Sequence, residues 1–169
     1  MTLRELFLPE YDQEMANTRR TLERVPEDKF AWKPHDKSMS MHQLASHLAT
    51  IPGWMMVTIN QDEFDIAPPG GQAYESPTPK TRQEMLEVFD KGVAEGRKSL
   101  EAADDDRLGQ PWTFKNAGET LFTFPKFAVL RSFVLNHMVH HRAQLGVYLR
   151  ENDVPVPSIY GPSADESGN

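Results

Sequence analysis

The spacing of apolar residues along the chain predicts helices. Between about Leu3 and Arg24, apolar side chains recur at steps of three and four residues, which indicates one buried stripe on an amphipathic helix. Pro26 and Pro34 then interrupt the pattern, because proline cannot continue the interior of a helix. We expect Trp32, which lies between these prolines, to fold back as a lid on one end of the core.

A second helical pattern covers residues 38–59, with Ser38 or Ser40 suited to cap its N-terminus. Pro52 followed by Gly53 predicts a kink or a break within it. Residues 62–80 are rich in proline and glycine, and they are predicted to form a long connection. A connection of this length permits the helices on either side to run parallel.

The third and fourth helices are predicted from their caps and their apolar stripes. Thr81 is the expected N-cap of the third, with Glu84 placed for a capping box. The fourth runs from about Pro125, an acceptable first-turn proline, to about Asn152. Its inward stripe is predicted to contain Phe127, Leu130, Val134, His137, His141, Leu145 and Tyr148.

The segments around these two helices are predicted to be less regular. Residues 104–124 indicate a short turn or an irregular loop. In the tail, Ile159 and Tyr160 are expected to dock and the last few residues to be loose. Strand signals are poor, with few β-branched alternations and no Asn-Gly or Asp-Gly hairpin turn. We therefore predict an all-α four-helix bundle that forms a single domain over residues 1–169.

Charge and composition narrow the classes of function. The net charge of -7 argues against a nucleic-acid partner, which requires a basic face. The chain contains no cysteine, so it has no thiolate nucleophile and no cysteine-based metal site. It has no apolar run typical of a signal peptide or a membrane span, so we expect a cytoplasmic protein without a membrane partner.

Three histidines point to metal chemistry. His137 and His141 are four residues apart on the predicted inward stripe, so their imidazoles project from the same side of the helix. His47 lies on the inward side of the second helix. Together they would form a set of nitrogen ligands that leaves one to three coordination positions open. The alternative is that these side chains are ordinary core histidines, each satisfied by a hydrogen bond.

The neighbouring polar residues are given other roles. His140 is about 100° around the helix from both partners, so we expect it at a flank or a pocket rim and not as a ligand. His42 and His35 are predicted at the surface or at the mouth of the site. Arg142 is expected to form a surface salt bridge and Gln144 an interior hydrogen bond, unless one of them orients a metal ligand.

The sequence resembles the DinB family of DinB/YfiT-like metalloenzymes. The resemblance rests on "LASHLA" with His47, "NHMVHHRAQL" with His137 and His141, "FAWKP" and "PSIYGPSADE". It implies an up-down-down-up bundle with a long crossover, frequent dimerisation, and a divalent metal held by these histidines. Many relatives have glycine where this chain has Ala143, a change that could narrow helix packing. Characterised relatives include thiol-dependent transferases and isomerases, whereas most members of the family have no established reaction.

The resulting hypothesis is a metal-dependent enzyme that acts on a small electrophilic substrate. Zinc or nickel is the first expectation, and copper and iron stay open because imidazole ligands suit them about equally well. The reacting partner is an external low-molecular-weight thiol or a metal-bound water. Tyr11, Glu14 and His140 are candidates for a general base, and none is assigned. The alternative is a non-catalytic bundle of the stress response that binds a metal or a small molecule.

A homodimer is the second expectation about partners. Apolar residues of the fourth helix extend beyond its inward stripe and include Phe133, Val139 and Val147. A second apolar face of this kind often packs against another subunit. Long loops of the same chain are the alternative cover.

Overall fold

The computed structural model describes residues 1–166, and most of them are helical. The helices are α1 (Leu3–Leu22), α2 (Met41–Thr50), α3 (Gly53–Asn60), α4 (Arg82–Ala102), α5 (Asp105–Gly109), α6 (Lys126–Val129) and α7 (His137–Glu151). A short 3-10 turn covers Glu27–Lys29, and a π-helical segment, Leu130–Asn136, joins α6 to α7. Among residues 1–166, no helix combines the length and apolar character that crossing a membrane requires.

Local capping explains where the long helices begin. Ser40 caps α2 through a reciprocal capping box with Gln43, as the sequence predicted for one of its two candidates. Thr81 accepts a hydrogen bond from the Glu84 backbone N–H and so caps α4, also as predicted. The predicted capping box at α4 is wrong, because the Glu84 carboxylate accepts from the Lys80 N–H instead of from Thr81.

The second helical pattern breaks at Pro52, which separates α2 from α3. Beyond the break, α3 packs on α4 where α4 carries small residues. A Cβ added to Gly96 would lie 2.9 Å from the Met55 Cβ and 2.6 Å from the Tyr11 hydroxyl oxygen. Glycine at this position therefore allows α1, α3 and α4 to approach closely.

The main helices surround one apolar core. Helix α1 packs on α4 and α7, and α2 packs on the same two helices from the other side. The side chains that fill the centre include Tyr11, Leu22, Met41, Leu44, Leu48, Met55, Met85, Phe89 and Leu100. The mostly helical fold is therefore confirmed, whereas the four-helix bundle and its up-down-down-up order of helix directions stay predictions.

The all-α prediction is wrong in one region, because a three-stranded sheet stands where a turn or loop was expected. Strands β1 (Glu63–Asp65), β2 (Pro111–Asn116) and β3 (Glu119–Pro125) follow each other in that order across the sheet. β1 and β2 are parallel, and β2 and β3 are antiparallel. The hairpin turns at Ala117 and Gly118, whose φ angles of 52° and 81° are those of a type I′ turn.

The sequence signal of this hairpin lies in its strands and not in an Asn-Gly turn. Aromatic residues alternate with threonines along β2 and β3, so that the rings share one face. On the opposite face, Thr113 and Thr123 are paired and their hydroxyls lie 2.9 Å apart. Asp65 of β1 accepts a hydrogen bond from the Gly118 N–H at 2.8 Å, which ties the turn to the first strand.

The fourth predicted helix is interrupted instead of regular. Pro125 ends β3, and helical structure starts at Lys126 and passes through the π segment into α7. Phe127 is 38% exposed, so its predicted place in the core is wrong. The other predicted members of the stripe stay inward through the π segment: Leu130, Val134, Leu145 and Tyr148 are buried, and His137 and His141 are half-buried.

The tail packs along α1 and α7. Arg20 donates to the Ser158 carbonyl, and Arg24 forms an ion pair with Glu166 at 2.7 Å. The predicted docking of Tyr160 is confirmed, since its hydroxyl donates to the Glu14 carboxylate at 2.8 Å. The predicted looseness of the last few residues concerns residues 167–169, which lie outside the described part.

Candidate metal centre

The three predicted ligands meet at one point between α2 and α7. The Nε2 atom of His137 lies 3.2 Å from Nε2 of His47 and 2.9 Å from Nε2 of His141. The potential ligand atoms of all three residues lie within 4.8 Å of one another. We call this group the histidine triad. The inward positions predicted for these residues therefore come together in space.

Two of the three rings are oriented by hydrogen bonds at their other nitrogen. His137 Nδ1 lies 3.2 Å from the Phe133 carbonyl oxygen, which can only accept, so Nδ1 carries the proton. His141 Nδ1 donates to the side-chain oxygen of Gln144 at 2.7 Å. In a neutral imidazole a protonated Nδ1 leaves a lone pair on Nε2. Both rings thus present a lone pair to the triad.

This arrangement fits a bound cation. With Nδ1 protonated in both rings, the 2.9 Å contact between His137 Nε2 and His141 Nε2 brings two potential ligand atoms together. Nitrogen ligands at about 2.0 to 2.1 Å from one tetrahedral zinc ion would lie about 3.3 to 3.4 Å apart. The observed separations of 3.2 and 2.9 Å are within a few tenths of an ångström of that value.

Burial keeps the triad neutral. It lowers the pKa of His47 from 6.5 to about 4, with a further contribution from the two neighbouring imidazoles. Burial also lowers the pKa of His137, and the pKa of His141 shifts in the same direction for the same reason. Neutral imidazole is the form that binds metals, so the site needs no deprotonation of its ligands near pH 7.

The remaining histidines lie outside the triad. His140 is exposed, and its ring centroid is 4.9 Å from that of His141, which agrees with the predicted rim position. His42 is partly buried and its Nε2 donates to the Pro79 carbonyl at 2.6 Å. His35 is exposed in the loop, where its Nδ1 accepts from the Lys37 N–H.

Arg142 does not form the surface salt bridge that was expected, because it is buried. It is 4% exposed and pairs with the Glu14 carboxylate at 2.6 Å, and it donates to the Tyr160 hydroxyl at the same distance. Gln144 is exposed and accepts from His141, so its interior position is wrong while its orienting contact is present. Of the two, Gln144 is the residue that contacts a triad ring.

Two of the three candidate general bases make hydrogen bonds away from the triad. Glu14 is buried against Arg142 and Tyr160. Tyr11 is buried and donates to the Val93 carbonyl at 3.1 Å, and burial raises the pKa of its phenol. Neither makes a hydrogen bond to the triad within residues 1–166.

The apolar face expected to form a dimer is partly covered. The Phe133 ring contacts the sheet, with its centroid 5.5 Å from Phe114 and 6.1 Å from Phe122. The hairpin that sequence analysis missed provides this cover. Val147 stays exposed beside the docked tail.

The fold and the triad define a class of helical protein with a three-histidine candidate metal centre between its helices. A family model described as the DinB family matches residues 2–168. The chain belongs to the DinB family, as its sequence motifs indicated.

Relatives and solved structures agree with this assignment. A Bacillus subtilis (strain 168) protein named "Uncharacterized protein YrdA" is 24% identical over 160 residues, which are 95% of this chain and 89% of YrdA. A DinB-like protein from Bacillus cereus ATCC 10987 has a TM-score of 0.70 at 20% identity, covering 92% of this chain and 97% of its own. The DinB-like protein YjoA of Bacillus subtilis gives 0.66 at 18% identity, covering 90% and 95%. These structures support the fold alone.

Proposed function

We propose that the chain binds a divalent metal, zinc or nickel, through His47, His137 and His141. The observation that carries this proposal is the convergence of the Nε2 atoms of three imidazoles. Three imidazole nitrogens in contact are a suitable set of ligands for a divalent cation, and a shared proton is the alternative occupant. The lowered pKa values make a proton the weaker candidate near pH 7.

The proposed function is metal-dependent catalysis on a small electrophilic substrate, with a low-molecular-weight thiol or water as the reacting partner. A divalent cation in the triad would supply Lewis acidity and lower the pKa of a coordinated thiol or water. The chain has no cysteine, so the thiol must be external. The cytoplasmic location expected from the sequence is part of the proposal, since thiols are kept reduced there.

Hydrogen bonds from the chain's own residues orient the rings of the triad. The Phe133 carbonyl and the Gln144 amide fix the tautomers of His137 and His141. The π segment ends one residue before His137, so the local widening of the helix sets where this ring enters the bundle. Such π segments are frequent at functional sites, which is consistent with the proposal.

A second candidate function is a non-catalytic bundle that binds a metal or a small molecule. Glu14 and Tyr11 make structural contacts, so two of the three candidate bases do not face the triad, which favours this second function. His140 is the candidate that remains, exposed and next to His141.

Elemental mass spectrometry of tag-free protein tests the metal site. We expect close to one zinc or nickel ion per chain and loss of that ion in His137→Ala. His140→Ala is the matched control on the same helix and should retain the ion. Absence of metal from the wild-type protein, even after incubation with zinc and with nickel, would leave the three histidines as core residues and refute the proposal.

A panel of thiols and electrophiles tests catalysis separately. Metal-loaded protein should consume a thiol or an electrophile faster than protein treated with a chelator, and His47→Ala should remove the difference. If the loaded protein binds metal at full stoichiometry but accelerates no reaction across the panel, the binding function stands and the enzyme is rejected.

A homodimer remains part of the proposal. Its support is the apolar groove that Val139, Ala143 and Val147 of α7 line together with the docked tail. Light scattering at micromolar concentration should give twice the chain mass, and Val147→Glu should shift it to the monomer mass. A monomer in the wild-type sample would refute the dimer.

A further inference from the structure

A row of aromatic rings leads from the sheet to the histidine triad. The ring centroids of Phe124 and Phe122 on β3 are 5.5 Å apart, and Phe122 is 6.1 Å from Phe133. Phe133 is in turn 5.8 Å from the His137 ring. These are contact distances for aromatic pairs, so the row is continuous. Its last member is a residue of the triad.

This row lines an open groove with a volume of 470 Å³. Phe122, Phe124 and Phe133 are its apolar lining residues, and Ser132, Asn136, His137 and His140 are the polar ones. The volume lies in the range of about 300 to 1,000 Å³ that is typical of small-molecule sites. His137 therefore belongs both to the groove and to the triad.

The chemistry of the groove selects an uncharged group. Among the described residues that line it there is no lysine, arginine, aspartate or glutamate. The exposed amide of Asn136 offers one polar group at the rim. Phe124 is 54% exposed, so a flat apolar ligand would remove aromatic surface from water without displacing any part of the fold.

We infer that this aromatic groove binds an aromatic or flat apolar group of the substrate and holds it beside the triad. The inference rests on the proposed function, since it assigns a substrate class to the same site. His137 both lines the groove and is a candidate metal ligand. A group bound in the groove would therefore lie beside the metal site, which favours a small molecule over a partner protein.

Two hydroxamates on zinc-loaded protein test the inference. Acetohydroxamate and benzohydroxamate share the group that binds metal, and only the second carries a ring. We expect benzohydroxamate to bind about tenfold more tightly by calorimetry, on the order of what partial burial of a phenyl ring contributes. Phe124→Ala should reduce this ratio at least threefold, about half of that contribution on a logarithmic scale.

Leu121→Ala is the matched control. Leu121 lies on the same strand, is 55% exposed and does not line the groove, so its removal should leave the ratio unchanged. A ratio that Phe124→Ala leaves intact, or that both variants lower equally, would overturn the groove while the metal site stands. Failure of both hydroxamates to bind protein that holds stoichiometric zinc would also overturn the groove, whereas failure of the protein to load zinc would overturn the metal site itself, so the two failures are distinguishable.

Discussion

Two polar clusters on α7 differ in their charge and in the partners of their side chains. On one face, Arg142 is paired with Glu14, and the Tyr160 hydroxyl bridges both. On the other face, the Nε2 atom of His137 lies 2.9 Å from that of His141 and 3.2 Å from that of His47. The clusters adjoin in sequence, because Arg142 follows His141 directly.

The difference separates a structural role from a functional one. A buried charge is tolerated when it is paired and hydrogen-bonded, and the arginine cluster meets that condition within the chain. The histidine triad is instead a group of neutral imidazoles whose potential ligand atoms converge, as a cation site requires. We therefore expect changes in the first cluster to alter folding and changes in the second to alter ligand binding.

The largest expected effect is the loss of Arg142. Arg142→Ala leaves the Glu14 carboxylate buried without its partner, which should lower the free energy of unfolding by about 3 to 5 kcal/mol in urea titrations. Arg150→Ala is the control, because Arg150 is 48% exposed and its pair with Asp165 should contribute at most about 1 kcal/mol. Equal effects of the two substitutions would show that the buried cluster has no special structural role.

Metal should produce the next largest change, and only through the triad. Zinc at about 100 times its dissociation constant should stabilise the fold by about 2.7 kcal/mol, which raises the melting temperature by about 5 to 10 °C. His137→Ala should abolish this shift, whereas His42→Ala should keep it. A zinc-induced shift of the same size in His137→Ala would place the metal elsewhere.

Acid should destabilise the metal-free protein through the triad. The pKa of His47 falls from 6.5 to about 4 on folding, so the unfolded chain takes up a proton first as the pH drops. The free energy of unfolding should therefore decrease between about pH 6.5 and pH 4. One unit of pKa corresponds to about 1.4 kcal/mol, and partial exposure of the ring reduces the total to about 1 to 2 kcal/mol.

Chemical denaturation in the presence of a chelator, repeated across this pH range, measures the effect. His47→Gln should weaken the dependence because it removes one of the three titrating rings, and the remainder should come from His137 and His141, whose pKa values burial also lowers. A wild-type curve that is flat between pH 6.5 and pH 4 would contradict the burial of a neutral imidazole.

The smallest effect on folding is expected at Gln144. It is exposed, so Gln144→Ala should change the free energy of unfolding of the metal-free protein by less than about 0.5 kcal/mol. Zinc affinity should nevertheless fall about 10- to 100-fold, because His141 loses the acceptor that fixes its tautomer. Gln144→Glu keeps an acceptor and should retain affinity. If the zinc affinity of Gln144→Ala is unchanged, the contact between Gln144 and His141 does not contribute to metal binding.

The triad was predictable because its signal is local. The spacing of His137 and His141 places both rings on one face, and the flanking leucines place His47 inward. The break at Pro52 and the cap at Thr81 were predictable for the same reason, since each depends on residues within a few positions. Family resemblance added the expectation that the two helices face each other.

The arginine cluster and the sheet were not predictable in this way. Arg142 and Glu14 are 128 residues apart, and nothing near either one in sequence shows that they are partners. The hairpin has alternating aromatic residues, but its turn uses Ala117 and Gly118 instead of Asn-Gly, and β1 is only three residues long. The period of two in the aromatic residues indicates this hairpin, whereas the type of turn does not.

X-ray absorption at the zinc edge of stoichiometrically loaded protein tests the central claim most directly. We predict three imidazole nitrogens at about 2.0 to 2.1 Å, together with one or more lighter ligands that fill the open positions. In His137→Ala the imidazole contribution should decrease or the zinc should be lost. A spectrum of the wild-type protein that is dominated by oxygen ligands, without imidazole scattering, would contradict a metal centre built from His47, His137 and His141.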